Sequence, residues 1–86
     1  MPKYLVFVKV KRHWVASWNA PNSVECLPNW ESVVSTLHKA GYPHMGYCDE
    51  FKALKNGACV LGYFDPMDGK AHEVYKLIPM EVSHVG

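Results

Sequence analysis

Histidine and cysteine are the residues of this sequence that could bind a metal ion, and the chain has five histidines and three cysteines. A structural zinc site takes its ligands in closely spaced pairs, because one turn must direct two of them at the same ion. Cys26, Cys48 and Cys59 are instead 22 and 11 residues apart. The nearest pair is His44 with Cys48, with His38 upstream, and this does not complete a set of four ligands. We therefore predict no metal site and no cofactor.

Nucleophilic catalysis would need an exposed cysteine or an activated serine with a base in reach. Cys59 lies in an apolar run that predicts a buried strand, so its thiol is expected to be inert. Cys48 is the better candidate, with His44 as its base, but the adjacent Asp49 would raise the pKa of the thiol. No oxyanion-forming loop follows it in the sequence. We predict no catalytic residue and a protein that is not an enzyme.

Asp65 and Asp68 are spaced so that they could face one cation. The segment that holds them, Asp65-Pro66-Met67-Asp68-Gly69, has the composition of a tight turn, in which Pro fixes φ and Gly accepts a positive φ. Turn formation accounts for both carboxylates without an ion. The glycines are dispersed along the chain and form no phosphate-binding loop.

A basic and aromatic run between residues 9 and 18 is the strongest candidate for a functional surface. Its cations, Lys9, Lys11 and Arg12, could contact phosphate or carboxylate groups. Its indoles, Trp14 and Trp18, could serve as interface anchors or stacking platforms. We predict that these five residues bind a partner. Two alternatives stay open: the tryptophans belong to the core, or the lysines only protect an edge strand from aggregation.

Composition and charge limit the class of protein. Residues 1–24 carry four cations and no acid, whereas residues 25–86 carry five cations and eight acids, which favours a basic face toward an acidic partner. A hydrophobic fraction of 49% argues against disorder, and no apolar run reaches the length of a membrane span or a signal peptide. Three cysteines cannot form a full disulfide framework, so we expect a reducing, cytoplasmic location without membrane contact.

The elements that would position these residues follow from hydrophobic periodicity. Residues 4–10 alternate as a strand, and residues 13–18 either continue it or return as a hairpin arm that turns near Lys11-Arg12. Residues 30–40 predict a helix with Asn29 as its N-cap and Gly41 at its end. The apolar stripe of this helix should form the core together with Val60 and Leu61. Its residues are Trp30, Val33, Val34 and Leu37.

The second half of the chain leaves one alternative open. Residues 49–55 suggest a short helix, which we favour over a hairpin turn at Asn56-Gly57. Residues 58–64 are apolar on both faces, predicting a central strand covered on both sides, and residues 70–78 should return as its antiparallel partner. We predict one compact α+β domain over residues 1–86, in which an antiparallel sheet of three to five strands packs against the 30–40 helix.

A compact domain of this size, without catalytic residues and with uneven charge, most often works by binding. We expect a protein-interaction module that inhibits or regulates a larger enzyme or nucleoprotein complex stoichiometrically, in the manner of a viral, phage-encoded anti-defence protein. The alternative is a nucleic-acid-binding domain that uses the basic N-terminal strand. A homodimer, a small enzyme and a ligand-binding domain are further alternatives.

Overall fold

The computed structural model describes residues 1–17, 20–43 and 45–80 and has the predicted α+β architecture. The strands are β1 (Lys3–Val10), β2 (His13–Ala16), β3 (Ser23–Glu25), β4 (Glu50–Ala53), β5 (Cys59–Asp65) and β6 (Lys70–Pro79), the helix is α1 (Trp30–Lys39), and short 3-10 helices lie at Met45–Tyr47 and Lys55–Gly57. The sheet has six strands instead of three to five. Among the described residues, no helix is long and apolar enough to cross a membrane.

All strand pairs are antiparallel, in the order β2-β1-β6-β5-β4. The central pair is β1 with β6, which sets Val6 opposite Leu77 and Val8 opposite Tyr75. On its other edge β1 pairs with β3 at residues 3–5 and with β2 at residues 7–10. Residues 13–16 are therefore the return arm of a hairpin, and the turn lies at Lys11-Arg12 although neither residue is typical of turns.

Helix α1 has the caps that the sequence predicts. The Asn29 side chain accepts a hydrogen bond from the backbone N–H of Ser32 at 2.9 Å, which satisfies a free donor of the first turn. At the other end Gly41 has a φ of 86°, and its N–H donates to the carbonyl of His38 at 3.2 Å. Both ends are thus closed by residues near the helix in the sequence, which explains why its bounds were predictable.

The core lies between α1 and one face of the sheet. Val33 and Leu37 are fully buried, while Trp30 and Val34 pack at its margin. The rest of the core comes from the strands and the segment after the helix: Tyr4, Val6, Val24, Cys26, Tyr42, Met45, Cys48, Cys59, Leu61, Tyr75 and Leu77. The hydroxyls of Tyr42 and Tyr75 donate to the carbonyls of Pro21 and Pro43, so neither buried ring leaves a polar atom unpaired.

Residues 49–55 do not form the helix that we favoured. Residues 50–53 are strand β4, and a turn closes the hairpin to β5 with Asn56 at φ 61° and Gly57 at φ 80°. The N–H of Ala58 donates to the carbonyl of Lys55 across this turn at 3.3 Å. The helix prediction is wrong because positive φ at both central residues, which Asn-Gly accommodates well, determined the local structure.

Candidate functional site

The face of the sheet opposite α1 is the candidate site, which we call the open face. Because side chains alternate along a strand, register assigns residues to one face or the other. Lys9 pairs with Trp14, Leu5 with Ile78, and Val60 with both Lys76 and Lys52. By register this face includes Leu5, Phe7, Lys9, Trp14, Glu50, Lys52, Val60, Gly62, Glu73, Lys76 and Ile78. Three of these eleven are cations and two are acids.

Val60 corrects one prediction about the core. It lies on the open face and is only 6% exposed, but it does not belong to the cluster beneath α1. Its register neighbours Lys52 and Lys76 have aliphatic stems long enough to shelter an apolar side chain between strands. Strand β5 is therefore central, as predicted, but α1 covers only one of its faces.

The open face has an apolar centre. Leu5 and Ile78 are paired across β1 and β6, and Phe7 and Val60 both pair with Lys76. Leu5 and Phe7 are half-buried, and Ile78 is 37% exposed. Leu5, Phe7 and Ile78 form a partly exposed apolar strip across β1 and β6, which the buried Val60 continues on β5. Lys76 lies between Phe7 and Val60, and other charged residues lie around the strip.

Trp14 joins the charged residues into one network. The Lys9 ammonium lies 4.6 Å from the centroid of its ring and the Lys76 ammonium 5.8 Å from it, both within cation–π range. Lys9 Nζ is also 3.6 Å from Glu73 Oε1, an ion pair that links the β1–β2 hairpin to β6. Trp14 is thus a half-buried residue of the open face and not of the core.

A shallow concavity of about 590 Å³ lies beside this network. Its charged lining includes Lys9, Arg12, Lys52, Glu50 and Glu73. Both signs of charge line it, so a ligand that matches this surface needs both carboxylates and cations. Tyr63 and His72 line it as well.

Gly62 gives this concavity its shape. The register between β5 and β6 shifts between Leu61 and Gly62, which is a β-bulge. A methyl group on Gly62 would lie 2.1 Å from the carbonyl oxygen of His72. Only glycine permits this approach of the two strands, and the bend that follows sets the direction of the β5–β6 hairpin.

The β1–β2 turn lies at the end of the open face. Lys11 and Arg12 are both exposed, and their φ angles are 47° and 73°. Arg12 also lines the concavity. Four of the five predicted partner-binding residues, Lys9, Lys11, Arg12 and Trp14, therefore belong to one surface, and Trp18 lies outside the described residues.

Sequence reasoning missed the open-face residues contributed by β4, β5 and β6. Lys76 and Glu73 contact Trp14 and Lys9, although more than 60 positions separate them along the chain. The alternation of Lys76, Leu77 and Ile78 in a predicted strand was the available signal. That alternation can be interpreted only when the pairing of β1 with β6 is known.

The three cysteines are free and buried, Cys48 included, although we had considered it as an exposed nucleophile. Burial raises the pKa of all three thiols, to about 11 for Cys59, and the carboxylate of Asp49 adds to the increase at Cys48. His38 is exposed on α1 and His44 lies outside the described residues. A protonated, buried thiol is a poor nucleophile.

Asp65, Asp68 and His72 form a cluster at the β5–β6 turn whose ligating atoms lie within 4.8 Å of one another. Asp65 and Asp68 accept hydrogen bonds from the N–H groups of Met67 and Lys70, both at 2.8 Å. Asp68 Oδ2 also lies 2.7 Å from His72 Nε2. The hydrogen bond from Lys70 and the contact with His72 lower the pKa of Asp68. The carboxylates thus form the predicted turn, and His72 is a member that the spacing did not reveal.

Comparison with known proteins gives no relative. Searches with family models, curated protein sequences and solved structures each found no significant match to this chain.

Proposed function

We propose that this protein is a small protein-interaction module, a stoichiometric inhibitor or regulator that docks on a larger protein through its open face. One observation carries the proposal: an apolar strip of Leu5, Phe7, Val60 and Ile78 lies within a rim of charged residues on a face that α1 leaves uncovered. An apolar centre with a polar rim is the usual anatomy of a protein–protein interface.

Trp14 supports a protein partner. Tryptophan is enriched among the residues that contribute most to binding, and its cost in conformational entropy is low. Here Lys9 and Lys76 hold the ring in place before any partner arrives. A pre-ordered anchor loses less entropy on binding, so the network favours tight association.

Two features disfavour a nucleic acid. Glu50 and Glu73 line the same concavity as Arg12, and their carboxylates would repel a phosphate backbone. The lysine ammonium groups over Trp14 also compete with a base for stacking on its ring.

Nucleic-acid binding is nevertheless the second candidate, because one observation favours it. Around Trp14 and the concavity, the open face and its turn carry five cations against the two acids Glu50 and Glu73, and their potential would attract any polyanion. The cations are Lys9, Lys11, Arg12, Lys52 and Lys76. The experiment that tests the first candidate must therefore exclude this one.

The test uses three forms of the protein: wild type, Trp14→Ala, and Lys39→Glu as a control on the exposed side of α1. Each is immobilised to capture a partner, and the affinity of the purified partner is then measured by calorimetry at several salt concentrations. We expect one protein to bind at a 1:1 ratio. Its affinity should fall tenfold or more with Trp14→Ala and should not change with Lys39→Glu. Thermal unfolding of each variant checks that it is folded.

The salt dependence distinguishes the two candidates. An interface centred on apolar side chains should respond weakly and mainly in its association rate. A complex that neutralises four phosphates should lose affinity with a log–log slope of about −3.6. The proposal would be contradicted by micromolar binding of random DNA or RNA with such a slope. It would also be contradicted if wild type and Trp14→Ala bound the partner equally well.

A further inference from the structure

The Lys11-Arg12 turn has a backbone conformation that lysine and arginine do not favour. Val10 pairs with His13, so the loop has two residues, and both have positive φ, as a type I′ turn requires. This geometry favours Asn-Gly, because the β-carbon of an L-residue collides with its own backbone when φ is positive. Lys-Arg at this position therefore lowers the stability of the fold.

The same chain forms a turn of this kind with the preferred residues. Asn56 and Gly57 have φ values of 61° and 80°, and the N–H of Ala58 closes the turn onto Lys55. The β4–β5 turn thus satisfies the rule that the β1–β2 turn breaks. Strained residues persist where the surrounding structure fixes them, and they concentrate at functional sites.

Among the described residues, no polar contact of the Lys11 or Arg12 side chain offsets the strain of the turn. Both side chains are exposed, and neither has an ion pair or a hydrogen bond with any other described residue. Two adjacent like charges also repel each other. The described part of the fold thus leaves both charges available to a group outside it.

We propose that Lys11 and Arg12 bind carboxylates of the partner, and that the surface docking there is an acidic segment of a protein. This inference rests on the proposed function and names the chemistry of the partner. The planar guanidinium of Arg12 can bind a carboxylate through two parallel hydrogen bonds, and Lys11 adds a point charge beside it. The strained turn holds both side chains at the end of the open face.

The neighbours of Arg12 favour carboxylates on a protein over the phosphates of a nucleic acid. Glu50 and Glu73 line the same concavity as Arg12. A protein can place a carboxylate at the turn and a cation opposite Glu50 or Glu73, whereas a phosphate backbone presents one sign of charge to both. Electrostatic complementarity of this kind determines specificity more than affinity.

The test separates stability from recognition with the variant Lys11→Asn/Arg12→Gly. Since its residues fit the turn, the folding equilibrium constant should increase about tenfold, measured by denaturant unfolding. Binding is probed by NMR titration with a synthetic peptide rich in Asp and Glu, a matched peptide with Asn and Gln, and a single-stranded oligonucleotide. Wild type should bind the acidic peptide at least tenfold more tightly than the other two probes, and the variant should lose that preference.

Two further variants make the result specific. Arg12→Lys keeps the charge but loses the planar fork, so it should weaken binding of the acidic peptide severalfold. Asn56→Lys places a lysine at the corresponding position of the β4–β5 turn and should lower stability without changing peptide binding. Gly57 is left unchanged because a β-carbon there would lie 3.4 Å from Pro79 Cγ.

The inference is overturned if the acidic peptide binds no better than its amide counterpart, or if Lys11→Asn/Arg12→Gly leaves its affinity unchanged. A preference for the oligonucleotide overturns it in favour of phosphate. These results are distinct from failure of the proposed function, in which Trp14→Ala has no effect on partner binding.

Discussion

The covered and open faces of the sheet are built from alternate residues of the same strands, yet their side chains make different contacts. On the covered face Val6, Leu61 and Leu77 are in contact with a closed apolar core. On the open face Lys9, Trp14 and Lys76 hold one another through cation–π contacts and remain partly accessible. The difference indicates that stability is concentrated at one set of alternate positions, and in the proposed function the other set serves recognition.

The largest effect on stability should come from the covered face. Replacing Leu37 with Ala leaves a cavity beneath α1 and should cost about 2–5 kcal/mol, measured by denaturant unfolding. Ile78→Ala on the open face is the matched control and should cost clearly less, because that side chain already meets solvent and leaves no closed cavity. A loss below about 0.5 kcal/mol for Leu37→Ala would mean that the faces do not differ in this way.

A smaller loss of stability should follow from a substitution at the β-bulge of the open face. Gly62→Ala introduces a methyl group that collides with the His72 carbonyl and should cost about 1–3 kcal/mol. The bend should relax as well, so amide NMR signals around Glu73 should shift. Gly46→Ala is the control, since a β-carbon there meets no atom within 4 Å, and its effect should stay within about 0.5 kcal/mol. Equal losses at the two positions would refute the role of the close approach.

The smallest effect appears only in alkali and belongs to the covered face. Burial raises the pKa of Cys59 from 9.0 to about 11 and that of Tyr75 from 10.0 to about 12. Since both groups prefer their neutral form when folded, their contribution is complete below pH 9 and is lost as pH rises through 11 and 12. Unfolding free energy should therefore fall with increasing pH in this window, and the slope should be shallower in Cys59→Ala. Identical slopes in the two proteins would show that Cys59 is not held neutral.

Helix α1, with its Asn29 and Gly41 caps, was predictable because every signal that defines it lies within a few residues of it. The run that we predict to bind a partner was likewise identified from local composition, and its residues Lys9, Lys11, Arg12 and Trp14 share a surface. Local composition is sufficient where the interactions are local.

The contacts that depend on strand pairing could not be predicted from the sequence. Lys76 and Glu73 join Trp14 and Lys9 only after β6 is placed beside β1. The helix favoured for residues 49–55 failed for a different reason: the Asn56-Gly57 turn, a local signal that we ranked below the helix, formed the β4–β5 hairpin. Val60 was assigned to the wrong face because a run that is apolar throughout carries no alternation to orient it.

The central position of the β1–β6 pair has a consequence for how the chain reaches this structure. Among the described residues, these are the first and the last strands in the sequence, and their pairing sets Tyr4 opposite Pro79. During synthesis the middle of the sheet cannot close until β6 has left the ribosome, and until then the inner edges of β1 and β5 stay unpaired. Contacts so distant in sequence slow folding, so we expect refolding rates in the range of non-local β proteins, well below those of helical domains of the same length. A nascent chain that stops short of β6 lacks Tyr75 and Leu77 as well as the strand that unites the two halves of the sheet.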